Sequence, residues 1–147
     1  MRCEMEIRKA TVNDIKEIKN LMEHLGYPTT IEQMKKRFNN IESSPDYHTL
    51  LASYDDKIVG MIGLVKGYYY ELDGLYVRIV ALVVDSNHRN KGIGKQLLKE
   101  AEIWAKKIGA TGIGLNSGNR PERINAHKFY KSSGYAEKSV GFAKRLI

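Results

Sequence analysis

The sequence predicts a mixed α/β fold built on one sheet, with elements in the order β-αα-βββ-α-β-α-β. Three observations carry that prediction. Apolar residues recur at helical spacing between Ile15 and Phe38, and again from Gly92 to Lys107. Between these stretches the period shortens to that of strands punctuated by tight turns. The last of those strands runs straight into a glycine-bearing loop that opens a helix.

Each element has its own signal. A first strand covers Glu4 to Lys9. Thr11 or Asn13 caps a helix whose stripe is Ile15, Ile18, Leu21, Met22 and Leu25; Gly26 stops it and Pro28 follows. Thr30 caps a second helix with Ile31, Met34 and Phe38 on one face, ended by Ser43, Ser44 and Pro45. Residues 48–54 and 57–70 form a hairpin around Asp55-Asp56. After a turn at Glu71 to Gly74 comes LYVRIVALVVD, residues 75–85. Its run from Ile79 to Val84 is apolar at every position, which predicts a central strand buried on both faces. The helix from Gly92 to Lys107 presents Ile93, Leu97, Leu98, Ala101, Trp104, Ala105 and Ile108 to the core, and Gly109 stops it. Thr111 to Ser117 reads as a strand, Pro121 to about Lys131 as a last helix ended by Gly134, and Ala136 to Lys144 as a final strand.

Composition sets the outer limits. The chain has 147 residues and a formal net charge of +7, a length that predicts one domain over 1–147 with a core of its own. Apolar residues at 42% and charged residues at 28% are globular proportions, which argues against disorder. A single cysteine, Cys3, excludes an internal disulfide and a multi-cysteine zinc site. No apolar run reaches the ~18 residues of a membrane span, and MRCEMEIRK lacks the apolar core of a signal peptide, so a cytoplasmic protein is expected. The charge is uneven: residues 1–80 carry net −1 and residues 81–147 net +8. A basic half calls for an anionic partner: nucleic acid, a membrane surface or a phosphorylated small molecule.

The sharpest local motif is RNKGIGK, residues 89–95, between the apolar strand and the helix. Gly92 and Gly94 let an anion approach the backbone, and the first-turn N–H groups of a helix have no internal partners. Arg89, Lys91 and Lys95 add cations at the same point. A dinucleotide fingerprint fails because Leu97 stands where a small residue is required; a Walker loop fails at Arg89 and Gln96. On these residues alone, a tight strand-to-helix turn explains the motif as well as a phosphate cradle does.

The pattern R-x-x-G-x-G resembles the pyrophosphate loop of the GCN5-related N-acetyltransferases, and the resemblance extends from about Ile7 to Leu146. It is carried by RIVALVVDSNHRNKGIGKQLL (78–98), GIGLNSG (112–118) and NRPERINAHKFYKSSGY (119–135). Within the last stretch N-x-x-A-x-x-F-Y-x-x-x-G-Y is a second marker, with Asn125 displaced by one from the commonest spacing. VGMIGL, AHKFY and FAKRL look most like the branch acting on aminoglycosides or aminoalkylphosphonates.

The resemblance implies the acyl-CoA N-acyltransferase fold: a single mixed, centrally splayed sheet flanked by about four helices. It implies acetyl-CoA as acetyl donor, held in the gap between the strands at Ile79–Val84 and Thr111–Ser117. Backbone groups of Leu82, Val83 and Val84 would pair with the pantetheine arm; the pyrophosphate would rest on Asn90, Lys91, Gly92, Ile93, Gly94 and Lys95, with Arg89 beside it and Asn125 bonding the pantetheine or phosphate region. Tyr130 matches the position of the acid that protonates the leaving thiolate. The competing reading is that Phe129 and Tyr130 only anchor the last helix. Many relatives carry a strand Glu as base, but Val80 and Ala81 stand here, leaving Glu71 or Asp73 through water, or an amine that arrives neutral.

Other residues carry weaker signals. Tyr68, Tyr69, Tyr70 and Tyr76, with Tyr27 and Tyr47, either line an acceptor pocket or pack across strands; packing is the better reading for most. His24 ends a helix, His88 and His127 are expected to face solvent near the donor, and with His48 they show no metal-ligand spacing. Cys3 has no context for a covalent route. The expected activity is acetyl transfer to a primary amine, of a small molecule in the first reading and of a protein or peptide in the alternative. The resemblance makes a homodimer common among relatives and leaves this chain's oligomeric state open. A non-catalytic acyl-CoA sensor is the alternative outside enzymes. A nucleic-acid module is disfavoured because the basic residues surround a glycine loop and no DNA or RNA signature is present.

Overall fold

The computed structural model describes residues 5–117 and 123–147. Strand β1 (Met5–Lys9) forms one edge of a five-stranded sheet of order β1-β2-β3-β4-β5. Thr11 and Asp14 then start a helical arm by reciprocal capping: Thr11 Oγ1 accepts from the Asn13 N–H at 3.2 Å, and Asp14 accepts from the Thr11 N–H at 2.8 Å. The same Asp14 carboxylate grips the Arg8 guanidinium through two bonds of 2.9 and 2.8 Å. Helix α1 (Ile15–Leu25) buries Ile15, Ile18 and Leu21 and stops at Gly26, whose φ of 97° suits glycine. Helix α2 (Ile31–Glu42) opens with a Thr30–Gln33 capping box and buries Met34 and Phe38.

Strands β2 (Tyr47–Tyr54) and β3 (Lys57–Tyr68) form the expected hairpin, with Asp55 and Asp56 both at positive φ in its two-residue turn. Strand β4 (Leu75–Val84) is antiparallel to β3, and β5 (Ala110–Gly114) is parallel to β4, so the crossover helix α3 (Ile93–Lys107) lies between them. One face of the sheet buries Leu51, Met61 and Val83 under α1 and α2. The other buries Leu50, Ala52, Val59, Ile62, Leu64, Val77 and Ile79 under Ile93, Leu97, Leu98 and Ala101 of α3. Helix α4 (Ile124–Ser132) adds Phe129 and Tyr130 to this second cluster.

Two expectations are corrected. The run from Ile79 to Val84 is not buried on both faces throughout. Pairing steps from Leu64↔Ile79 to Gly63↔Ala81, leaving Val80 unmatched and 49% exposed. This bulge switches the alternation: Val77 and Ile79 face α3, while Ala81 and Val83 face α1 and α2. The final strand at Ala136–Lys144 is also not formed. Beyond Gly134 the chain is irregular, with Val140 67% and Phe142 94% exposed. The edge that such a strand would join, ATGIG, holds two glycines and gives a neighbour little side-chain surface. The predicted strand Thr111–Ser117 is shorter, at Ala110–Gly114; Glu4 and Pro121 lie outside the described residues.

Candidate active site

The site begins where the sheet opens. β4 and β5 pair only from Leu75↔Ala110 to Arg78↔Gly114. From Ile79 onward β4 keeps β3 on one side and, among the described residues, has no strand on the other. Alternate N–H and C=O groups along Ile79–Val84 are therefore free to pair with an extended ligand. The bulge at Val80 sits at the mouth of this gap. Of the predicted donor-binding residues here, Leu82 and Val84 are half-buried, and Val83 turns its side chain into the core beneath α1.

The gap leads to the loop. Asp85 caps a short turn, Ser86–His88, by accepting from the Asn87 N–H at 2.9 Å. Arg89 is extended, Asn90 has φ 66°, and Gly92 has φ 78° as the residue before α3. No side chain caps α3 and its first turn holds no acid. The N–H groups of Ile93, Gly94 and Lys95 are thus left without a capping group at the positive end of the helix dipole. The Ile93 side chain is buried at 1% exposure and pins that turn to the sheet, while Arg89, Asn90, Lys91, Gly92 and Lys95 are exposed. Lys91 Nζ stands 4.7 Å from the Tyr54 ring centroid, a cation–π contact. A Cβ on Gly94 would lie 3.4 Å from Phe129 and 3.7 Å from Val84. Glycine there brings the end of β4, the start of α3 and helix α4 together.

Helix α4 carries Asn125, exposed in its first turn, and Tyr130, half-buried near its end. The Tyr130 ring meets Phe129 at 5.4 Å and Tyr135 at 6.2 Å, both edge-on. Burial pushes the Tyr130 phenol above its ordinary range, and the charge of Arg123 opposes that rise. Among the described residues its hydroxyl has no hydrogen-bond partner. Arg123 was not singled out from sequence; it donates to Ser117 Oγ at 3.4 Å, tying the end of the β5 segment to the start of α4. No sequence signal marked it, because the last helix was read from Pro121, which places Arg123 inside it.

Glu71 and Asp73 are exposed in the loop before β4. β4 begins only at Leu75, after them, and at ~3.3 Å per residue Leu75 itself stands roughly 16 Å along the strand from Val80. Tyr69 and Tyr76 pack together at 5.1 Å, and Tyr69 reaches Thr111 at 3.5 Å, whereas Tyr68 and Tyr70 are exposed. Tyr27 is exposed after α1, and Tyr47 at the start of β2 is marginally so. His24 lies in the last turn of α1, as expected, and His48 stacks on Trp104 at 4.4 Å. His88 does not face solvent: its ring is tucked beside Tyr54 and Asp85, with Nδ1 buried. Among the described residues no group of three or more His, Cys, Asp or Glu can hold a metal ion, and Cys3 lies outside them.

A splayed mixed sheet whose gap runs into an uncapped helix start offers strand-edge pairing and an anion seat to one extended, phosphate-bearing ligand. Residues 13–135 match the acetyltransferase (GNAT) family, and the chain belongs to it. It is 31% identical over 142 residues to the aminoalkylphosphonate N-acetyltransferase of Salmonella typhimurium, covering 96% of this chain and 91% of that one. A GNAT family acetyltransferase of Staphylococcus aureus superposes with a TM-score of 0.84 at 35% identity, covering 97% and 98% of the two chains. An aminoglycoside N-acetyltransferase solved with CoA has the same fold, with a TM-score of 0.85 at 18% identity over 100% of this chain and 98% of that one. The protein is an N-acetyltransferase of this family. Among the described residues no helix is long and apolar enough to cross a membrane.

Proposed function

We propose that the chain transfers acetyl from acetyl-CoA to the primary amine of a small molecule, by direct attack in a ternary complex. The observation that carries this reading is the continuity between the free edge of β4 beyond Arg78 and the uncapped N-terminus of α3. An extended amide-bearing arm matches the first, and a pyrophosphate matches the second. In this reading backbone groups of Leu82, Val83 and Val84 hold the arm. The pyrophosphate lies on the amides from Asn90 to Lys95, with Arg89, Lys91 and Lys95 neutralising it and Asn125 reaching it from α4. The small-amine acceptor is supported by the 31% identity to an aminoalkylphosphonate N-acetyltransferase across nearly the whole of both chains.

The chemistry follows from the groups available. A neutral amine attacks the thioester carbonyl carbon; the C–N bond forms and the C–S bond breaks. A free N–H of β4 donates a hydrogen bond to the carbonyl oxygen as charge grows there. The attacking nitrogen loses its proton to water, because Val80 and Ala81 offer no base. Tyr130 gives its proton to the departing thiolate and regains one from solvent. Burial, by disfavouring phenolate, keeps that proton in place.

Free-thiol release from acetyl-CoA, assayed across aminoalkylphosphonates, aminoglycosides, polyamines, amino acids and peptides, tests the reading. Turnover with a small amine is expected. Turnover with peptides alone would reassign the acceptor, and tight acetyl-CoA binding with no turnover on any amine would favour a sensor.

A further inference from the structure

The gap proposed for the donor opens onto a bare stretch of sheet with Arg78 at its vertex. Arg78 is the last β4 residue paired with β5, opposite Gly114. Val77 and Ile79 on either side of it face α3, so by alternation the Arg78 side chain projects from the other face. The bulge brings Val80 and Ala81 to that same face: a Cβ on Gly63 would lie 3.6 Å from the side chains of both. With the donor's arm along Leu82–Val84 and its pyrophosphate beyond them, its thioester end reaches Val80. Arg78 stands about 7 Å from Val80 along the strand, two residues at ~3.3 Å each. Helices α1 and α2 cover this face at Leu51, Met61 and Val83, whereas Arg78 and Val80 are exposed. Beside Arg78 lie Val65 of β3 and Gly114, and nothing stands within 4 Å of the place a Gly114 Cβ would take. Farther from the gap the open floor ends at two tyrosines. Tyr76 lies across Gly67, where a Cβ would meet its ring at 2.5 Å, and Tyr69 packs on Tyr76.

The charge of Arg78 is unmatched. Among the described residues it makes no hydrogen bond or ion pair. The strand positions around it, Val65, Gly67, Tyr76, Val80 and Gly114, carry no acid. Glu71 and Asp73 precede Leu75, which is itself roughly 10 Å along the strand from Arg78. Arg8, by contrast, is held by Asp14 through two bonds. A guanidinium on an open floor, with no carboxylate of its own, presents its fork to an incoming anion. We infer that Arg78 anchors the acceptor: its guanidinium takes, through two parallel bonds, the anionic group of a short amine whose nitrogen then lies at Val80, beside the thioester. The inference rests on the acetyl-transfer reading and narrows its small amine to one bearing a phosphonate, phosphate or carboxylate. The short span from Arg78 to Val80 suits an amine and an anion separated by a few bonds. The same charge, on a floor without acids, repels a polycation such as an aminoglycoside or a polyamine.

Steady-state kinetics at saturating acetyl-CoA test the anchor with four acceptors. Aminoethylphosphonate and β-alanine carry the two kinds of anion, aminopropanol is an uncharged counterpart, and spermidine is a polycation. For wild type, kcat/KM with the better anionic amine is expected about 10- to 100-fold above that with aminopropanol, the range of a charge-assisted bidentate contact, with spermidine lowest. Whichever anion is preferred names the group that the fork holds. Arg78→Gln is expected to bring the ratio of anionic to uncharged amine close to unity, by raising KM for the anionic amine, with the KM for acetyl-CoA unmoved. Arg78→Lys keeps the charge and loses the fork, so its ratio should fall between the two. Wild type that acetylates aminopropanol or spermidine as efficiently as the anionic amines would overturn the anchor and leave acetyl transfer standing. So would an Arg78→Gln enzyme that keeps the wild-type ratio, or one that loses activity equally on every amine. Wild type that releases no thiol with any of the four, nor with any other amine, would sink the acetyl-transfer reading itself.

Discussion

Tyr130 joins two demands that are usually separate, since its ring belongs to the core beneath α3 while its hydroxyl has no hydrogen-bond partner among the described residues. Packing explains the ring and leaves the hydroxyl unexplained. Tyr130→Phe separates the two: the ring stays, so the thermal midpoint should move by no more than about 2 °C. kcat should fall by about 10- to 100-fold, at the low end for an acid because a thiolate of ordinary pKa ~8.5 departs partly unaided. The pH dependence has a fixed sign. Burial raises the phenol, so the acid form persists upward, and wild-type kcat should show no alkaline loss from this group below about pH 10. An unchanged kcat in Tyr130→Phe would leave the residue as a packing group. Tyr130 was legible in the sequence through its Phe-Tyr-x-x-x-Gly-Tyr setting. The approach of His24 Nε2 to Asp85 Oδ2, at 3.7 Å, was not, because a contact across 61 positions leaves no local pattern.

At the scale of elements, the site depends on how closely α3 lies on the sheet. Gly60 of β3 sets that distance: a Cβ there would come within 3.1 Å of Ile93, 3.2 Å of Leu97 and 3.2 Å of the Val83 carbonyl. Two of these neighbours are core side chains and the third is backbone, so none can yield cheaply. Gly60→Ala should lower stability by about 1–3 kcal/mol, read by urea denaturation. Because Ile93 also pins the first turn of α3, the KM for acetyl-CoA should rise as well. A stable Gly60→Ala enzyme with unchanged donor KM would show that the turn tolerates the shift. The helices and hairpins themselves were legible, since capping pairs such as Thr30–Gln33 and the Asp55-Asp56 turn are local. The bulge at Val80 was not, because an apolar run reads the same whether it alternates or slips by one. The final strand misled for the related reason that alternating apolar residues at Val140 and Phe142 say nothing about whether an edge exists to receive them.

For the whole molecule, the uneven charge acquires a location. The half of net charge +8 holds the exposed Arg89, Lys91 and Lys95 around a helix start with no acidic residue in its first turn. These cations and the helix dipole act on the same point, whereas a nucleic-acid surface spreads its cations along a groove or face. The two arrangements respond differently to salt. A compact diphosphate seated on backbone amides keeps most of its short-range hydrogen bonding when the Debye length shrinks from ~10 Å at 0.1 M to ~3 Å at 1 M, and loses mainly the contribution of exposed lysines. A polyanion held by counterion release weakens by orders of magnitude over a smaller change. CoA binding should therefore fall by less than about tenfold between 0.05 and 0.5 M salt, with Lys91→Gln flattening the slope, and random duplex DNA should not compete at 0.15 M. Effective competition by DNA at that ionic strength, with a steep salt slope shared by CoA, would mean that the basic half serves a second, extended anion and that the loop is only part of its footprint.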